Sequence, residues 1–236
     1  MAYRYLKEDC GVRVYDSDPT KTKGLAESAP FAEVVKADVL MLSVPISAIK
    51  GICEEIAPHL KAGQIVVDTC SVKERPIRWM EEKLPPDVGI LGTHPLFGPD
   101  SGKDGIAGLK IALCPVRIPS AEYEEIKNFL QARELVLVET TAEEHDRQIA
   151  LSQAIFHLIA QAVKQLEWGV KPISTPGPET FYRLVKTVQR DTDQLFHDIE
   201  RENPYAAEYR REFINEVLRL DKELRSRQQD GDDSGN

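Results

Sequence analysis

The segment Gly92-Thr93-His94-Pro95-Leu96-Phe97-Gly98-Pro99-Asp100-Ser101-Gly102 sets an imidazole between a short apolar run, Val88 to Leu91, and a stretch dense in glycine and proline. The run predicts a buried strand that stops after His94, because the residues beyond it turn the backbone tightly. Ligands of open α/β sheets sit outside the carboxyl ends of the strands. An imidazole has an ordinary pKa of ~6.5, so held there by a stiff loop it can act as a base near neutrality. The alternative is a histidine that only fills a turn.

Other residues could act with it. Gly11-Val12-Arg13-Val14-Tyr15-Asp16 reads as a strand ending in an acid, the arrangement that binds ribose hydroxyls in dinucleotide-binding folds. Asp also starts turns and caps helices, and Asp18 lies close enough to be the ligand instead. His145, Gln153 and His157 share one four-residue helical ridge with Ile149, a polar stripe on an otherwise apolar helix. Helix capping and ordinary hydrogen bonding are the plain explanation, and a pocket wall is the functional one. Arg183 falls on the next apolar helix, where a buried guanidinium would want a carboxylate and a surface one would form an ion pair.

The elements that must position these residues follow from periodicity. Val39 to Pro45 and Ile65 to Asp68 are near-continuous apolar runs, as expected of parallel strands buried on both faces. Helices are predicted from about Ile46 to His59 and from Arg75 to Leu84, before the strand that carries His94. Leu109 to Cys114 and Leu135 to Glu139 read as two more strands, with a helix over Ser120 to Ala132 between them. Such alternation means βαβ units and a parallel sheet. From Thr141, a helix N-cap followed by Glu143 and Glu144, the chain turns all-helical. A long helix is predicted to about Trp168, another from about Phe181, and a last one over Tyr205 to Arg227. The fold class is therefore α/β: a Rossmann-type parallel sheet over 1–140, an all-α domain over 141–227, and a polar tail over 228–236 expected to be disordered. Met1 to Glu8 reads as the end of an amphipathic helix, and no G-x-G-x-x-G occurs anywhere. The expectation is an incomplete gene model, with Met1 inside the first helix and the first Rossmann strand and its phosphate-binding turn absent from these residues.

A net charge of -9 argues against nucleic acid or an anionic membrane as the main partner. The four cysteines have no C-x-x-C spacing and read as reduced thiols, with neither disulfide nor zinc. With no spanning segment and no signal peptide, a cytoplasmic address is expected, or a plastid if a transit peptide precedes the start.

Three blocks, Asp68-Thr69-Cys70-Ser71-Val72-Lys73, Thr93 to Gly102, and Glu144-His145-Asp146, together resemble the prephenate/arogenate dehydrogenases of tyrosine biosynthesis. The likeness continues through Ser152-Gln153 to His157, and is greatest to the plant-type arogenate branch. The resemblance implies oxidative decarboxylation of arogenate or prephenate, with hydride transfer to NAD, or NADP as the alternative, giving tyrosine or 4-hydroxyphenylpyruvate. His94 then matches the catalytic base and Ser71 the serine bridging base, substrate and nicotinamide. His157, with Gln153 beside it, matches the substrate side, and Arg183 resembles the arginine that holds the ring carboxylate in bacterial members. Asp16 falls where the ribose acid belongs, with Val44 and Pro45 near the adenosine half, which favours NAD. The resemblance also implies a homodimer made by the C-terminal helices. The alternative reading is an inactive relative serving as a dimerisation or substrate-binding module.

Overall fold

The computed structural model describes residues 6, 10–98, 100–188 and 191–233. The helix expected over Met1 to Glu8 lies outside them except for Leu6. The chain forms two compact units, Met1–His145 and Asp146–Asn236.

The first unit is built on five strands: β1 (Val39–Leu42), β2 (Ile65–Asp68), β3 (Gly89–Pro95), β4 (Lys110–Arg117) and β5 (Val136–Glu139). They lie side by side in chain order. β1, β2 and β3 run parallel, with Leu42 beside Asp68 and Asp68 beside Gly92. The short helix α1 (Phe31–Val34) precedes β1, α2 (Ile49–Ile56) follows it, and α3 (Glu74–Lys83) joins β2 to β3. These helices bury Ile49, Cys53, Ile56, Ile77 and Met80 against Leu40, Leu42, Val66 and Ile90 on one face of the sheet. On the other face α4 (Ser120–Gln131) sets Tyr123 and Ile126 against Ile65, Val67 and Leu91. Removing these side chains from water is the main favourable term in holding the layers together.

Three expectations are corrected. The sheet is not wholly parallel: β4 runs antiparallel to β3, with His94 opposite Ala112. Among the described residues no helix intervenes between Pro95 and Lys110, and the chain returns alongside β3. That pairing carries β3 past Leu91 to Pro95, so the strand ends just after His94, as expected. β1 is an edge strand in which Leu40 and Leu42 are buried but Val39 and Met41 are exposed, so it is not covered on both faces. Gly11 to Asp16 forms no strand beyond a single bridge between Val14 and Ser28.

The second unit is helical. α5 (Ala142–Ile149), which opens at the end of the first unit, continues through a π turn (Ala150–Ala154) into α6 (Ile155–Gln165). α7 (Pro176–Val188), α8 (Asp193–Glu202) and α9 (Ala206–Asp233) follow. Val185 and Val188 of α7 pack on Ala160 and Val163 of α6, while Ile199 of α8 meets Ala154 and Ala206. Sequence periodicity missed α8, whose N-cap is Thr192, accepting from Leu195 N at 3.2 Å. The helix over the C-terminus runs to Asp233, so residues 228–233 are helical rather than disordered, and 234–236 lie outside the described residues. Among the described residues no helix is long and apolar enough to cross a membrane.

Candidate active site

Asp68 and Gly92 are register partners in the adjacent parallel strands β2 and β3. Ser71 lies three residues beyond the first and His94 two beyond the second, so both leave the same carboxyl edge, on strands about 4.8 Å apart. Val44 and Pro45 follow the end of the next strand, β1, on that edge. Thr69 fastens the loops there, its N–H donating to Leu42 O at 3.3 Å. The sheet thus gathers Ser71, His94, Val44 and Pro45 at the edge where an α/β fold places its ligand.

His94 is buried, at 5% exposure. Its Nδ1 lies 2.9 Å from Nε2 of His145, and the rings meet edge to face with centroids 5.2 Å apart. His145 sits in the first turn of α5, which Thr141 caps by accepting from Glu144 N at 3.1 Å. One nitrogen of the pair must donate. When His94 carries its hydrogen on Nδ1 and donates to His145, its Nε2 is the nitrogen with the lone pair, able to accept a proton. Burial, then His145 and Lys73, hold the His94 pKa well below the usual 6.5. His94 is therefore held toward its neutral form, and is a weaker base than a free imidazole.

Beneath this edge lies a buried ion pair between Asp68 and Lys73, both fully inaccessible. Neither residue stood out in the sequence as a site residue, nor did His145 as the partner of His94. The signal was present, because all three fall inside the blocks that carry the family resemblance. Asp16 is half-buried; its Oδ1 accepts from Asp18 N at 2.9 Å and lies 3.8 Å from Lys21 Nζ. Asp18 caps the short turn Pro19–Lys21, accepting from Thr20 N, and the Thr20 hydroxyl lowers its pKa. Both acids therefore shape their own turn. Among the described residues no cluster of ligating side chains could hold a metal ion, and all four cysteines are free.

In the second unit His157 is buried on α6, with Nε2 3.7 Å from Asp191 Oδ2. Burial lowers its pKa and Asp191 opposes that shift. Gln153 is half-buried within the π turn. That turn interrupts the regular α-helical spacing assumed for the ridge through His145, Gln153 and His157; π turns of this kind recur at functional sites. Arg183 is exposed, and its Nη2 donates to Thr180 Oγ1 at 3.4 Å. It lies two residues before the buried Val185, about 200° around the helix. Of the two alternatives open for Arg183, a buried guanidinium and a surface one, the structure shows the surface one.

Together the layers and the carboxyl-edge residues define the first unit as a Rossmann-type α/β domain. The chain belongs to the prephenate dehydrogenase family: residues 4–139, more than half of it, match the family model described as prephenate dehydrogenase, nucleotide-binding domain. It is 35% identical over 177 residues to arogenate dehydrogenase 1, chloroplastic, of Arabidopsis thaliana, a match covering 72% of this chain and 28% of that protein. It is 25% identical over 205 residues to a probable arogenate/prephenate dehydrogenase of Methanocaldococcus jannaschii, covering 83% of this chain and 46% of that one. The chain thus spans less than half the length of these curated relatives. Its fold is similar to that of the A. aeolicus prephenate dehydrogenase crystallised with hydroxyphenyl propionate and NAD+, with a TM-score of 0.70 and 21% identity over 92% of this chain and 82% of that one.

Proposed function

We propose that this chain takes part in the oxidative decarboxylation of arogenate or prephenate, as the names of its relatives suggest. The observation that carries the reading is the His94–His145 pair: with the hydrogen on His94 Nδ1, Nε2 of this buried imidazole is the proton acceptor at the ligand edge of the sheet. His94 accepts the proton of the substrate hydroxyl as that carbon gives up its hydride. Loss of carbon dioxide leaves its bonding electrons in the ring, which becomes aromatic, and the proton returns to the phenolic oxygen. Ser71, at the same edge, orients the hydroxyl toward His94.

NAD, or NADP, is the cofactor that the nucleotide-binding family model and the NAD+ of the A. aeolicus structure suggest. When bound it supplies the hydride acceptor. The residues present fit its two ends: Asp16 offers a half-buried carboxylate for the ribose, Val44 and Pro45 the adenosine side, and Ser71 the nicotinamide side. They do not fit its middle, since the 236 residues contain no G-x-G-x-x-G to present backbone N–H groups to the pyrophosphate. The alternative reading is a module that binds substrate or a second copy without turnover.

For the second unit we propose substrate binding by His157 and Gln153. Arg183 retains that role only through its place in the family pattern. The division of labour we infer is dinucleotide binding over 1–140 and substrate binding and dimerisation over 141–227. Dimerisation is supported by α9, which exposes Phe213, Val217, Leu220 and Leu224 at alternating four- and three-residue spacing, the pattern of an apolar helix seam. A reducing compartment, cytoplasm or plastid, fits four free cysteines.

The experiment is incubation of the protein with arogenate or prephenate and either cofactor, following reduced nicotinamide and the aromatic product. Turnover abolished by His94→Asn supports the enzyme. Substrate binding without turnover supports the second reading, and neither binding nor turnover with either substrate refutes both.

A further inference from the structure

The ion pair beneath the site is wired to both proposed catalytic residues. Lys73 pairs with the carboxylate of Asp68 and donates to Thr93 O at 2.6 Å. Asp68 Oδ2 accepts from Cys70 N at 2.9 Å, and its Oδ1 from Thr93 N at 3.3 Å. The Thr93 hydroxyl closes the figure by donating to Asp68 O at 2.6 Å. Cys70 precedes Ser71, and Thr93 precedes His94. Each catalytic residue is therefore one peptide away from a group held by the pair.

Stability is a poor explanation for such a pair. Two charges lose their hydration on burial, and well-packed apolar residues of similar volume often serve a core as well or better. Directional hydrogen bonds to two chain segments are what an apolar pair could not supply.

We propose that the Asp68–Lys73 pair is a positioning device for the reaction: it locks the loop carrying Ser71 to the strand end carrying His94 and holds a lysine cation beside the imidazole. This rests on the reading of His94 as the base. The charged and titratable groups that bear on His94 are Lys73 and Asp68, from the β2–α3 segment, and His145, from α5. Lys73 works against a proton on His94, and Asp68 carries the opposite charge in contact with Lys73.

The test is a titration of His94 in the full 236-residue protein carrying carbon-13-labelled histidine, its signal assigned by loss in His94→Asn. Lys73→Met is expected to raise the midpoint by about one pH unit, and Asp68→Asn to push it lower. A merely structural role would not give shifts of opposite sign. Shifts of the same sign, or no shift in either variant, overturn the proposal. If a single variant does not fold, the double variant Asp68→Asn/Lys73→Met carries the test, because it leaves no lone buried charge. It is expected to fold and to raise the midpoint, since Lys73 bears on His94 more strongly than Asp68 does; an unchanged or lower midpoint overturns the proposal. In turnover, Lys73→Met is expected to lower kcat about tenfold or more with little change in KM, and an unchanged kcat also overturns it. Absence of turnover in the unaltered protein would instead refute the reaction while leaving the titration shifts to decide the role of the pair.

Discussion

Replacing His145 by leucine tests the most specific feature of the site. The perturbation removes the acceptor 2.9 Å from His94 Nδ1 and puts an apolar group of similar bulk in a buried place. A buried N–H left without an acceptor costs about 1–3 kcal/mol. That cost falls on the tautomer with the hydrogen on Nδ1, which is the one able to accept a proton at Nε2. The competent fraction, and with it kcat, should fall by about 5- to 150-fold, at 1.36 kcal/mol for each tenfold. KM should change little, because His145 acts through His94 rather than on the substrate. His145→Gln, which keeps a side-chain acceptor, should recover part of the loss. The assay is steady-state appearance of reduced nicotinamide, paired with histidine carbon shifts that report the His94 tautomer directly. A leucine variant with unaltered kcat and an unaltered tautomer signal would refute the reasoning.

The other predictions concern stability and assembly. His94 and His157 both have pKa values depressed by burial, so the unfolded chain binds more protons once the pH falls below about 6.5. Their contribution is complete above that pH and is lost as the pH drops from there through the folded values. Thermal midpoints should therefore decline in mild acid, and less steeply in a His94→Gln/His157→Gln variant; a flat profile in the unaltered protein would contradict this. Gly92→Ala would place its Cβ 2.7 Å from Ile77 Cδ1 and 3.3 Å from Cys114 Cβ. Overpacking of that kind should cost about 1–3 kcal/mol in denaturant unfolding, and no loss would mean that α3 yields freely. Thr141→Ala removes the hydroxyl that accepts from Glu144 N and should cost about 1 kcal/mol by the same measurement. Leu220→Glu on the exposed face of α9 should shift a dimer toward monomer in sedimentation, whereas an unchanged mass would place the interface elsewhere.

The legible part of this protein was the part written in local signals. Alternating apolar runs and helical stripes located β2 at Ile65–Asp68 to the residue and α4 to within one. The strand carrying His94 was located too, and its partner Ser71 was read from a motif whose order survives without coordinates. α8 escaped because its interior residues Leu195 and Ile199 offer too little apolar periodicity among acids and a histidine. The disordered tail was misjudged because polar composition alone does not stop a helix already propagating through α9.

By itself the sequence determined the α/β class, the family, and the residue types at the carboxyl edge, since these depend on composition, period and spacing along the chain. Only the tertiary structure decided which way β4 runs, that Arg183 is exposed, and that His94 meets His145 above a buried Asp68–Lys73 pair. His94 and His145 are far apart in the chain, and nothing in the local pattern of either encodes the other. Their meeting depends on how the start of α5 is seated against the β-sheet of the first unit. The pKa of His94 follows from that seating, because burial and neighbouring charge exist only once the chain has folded.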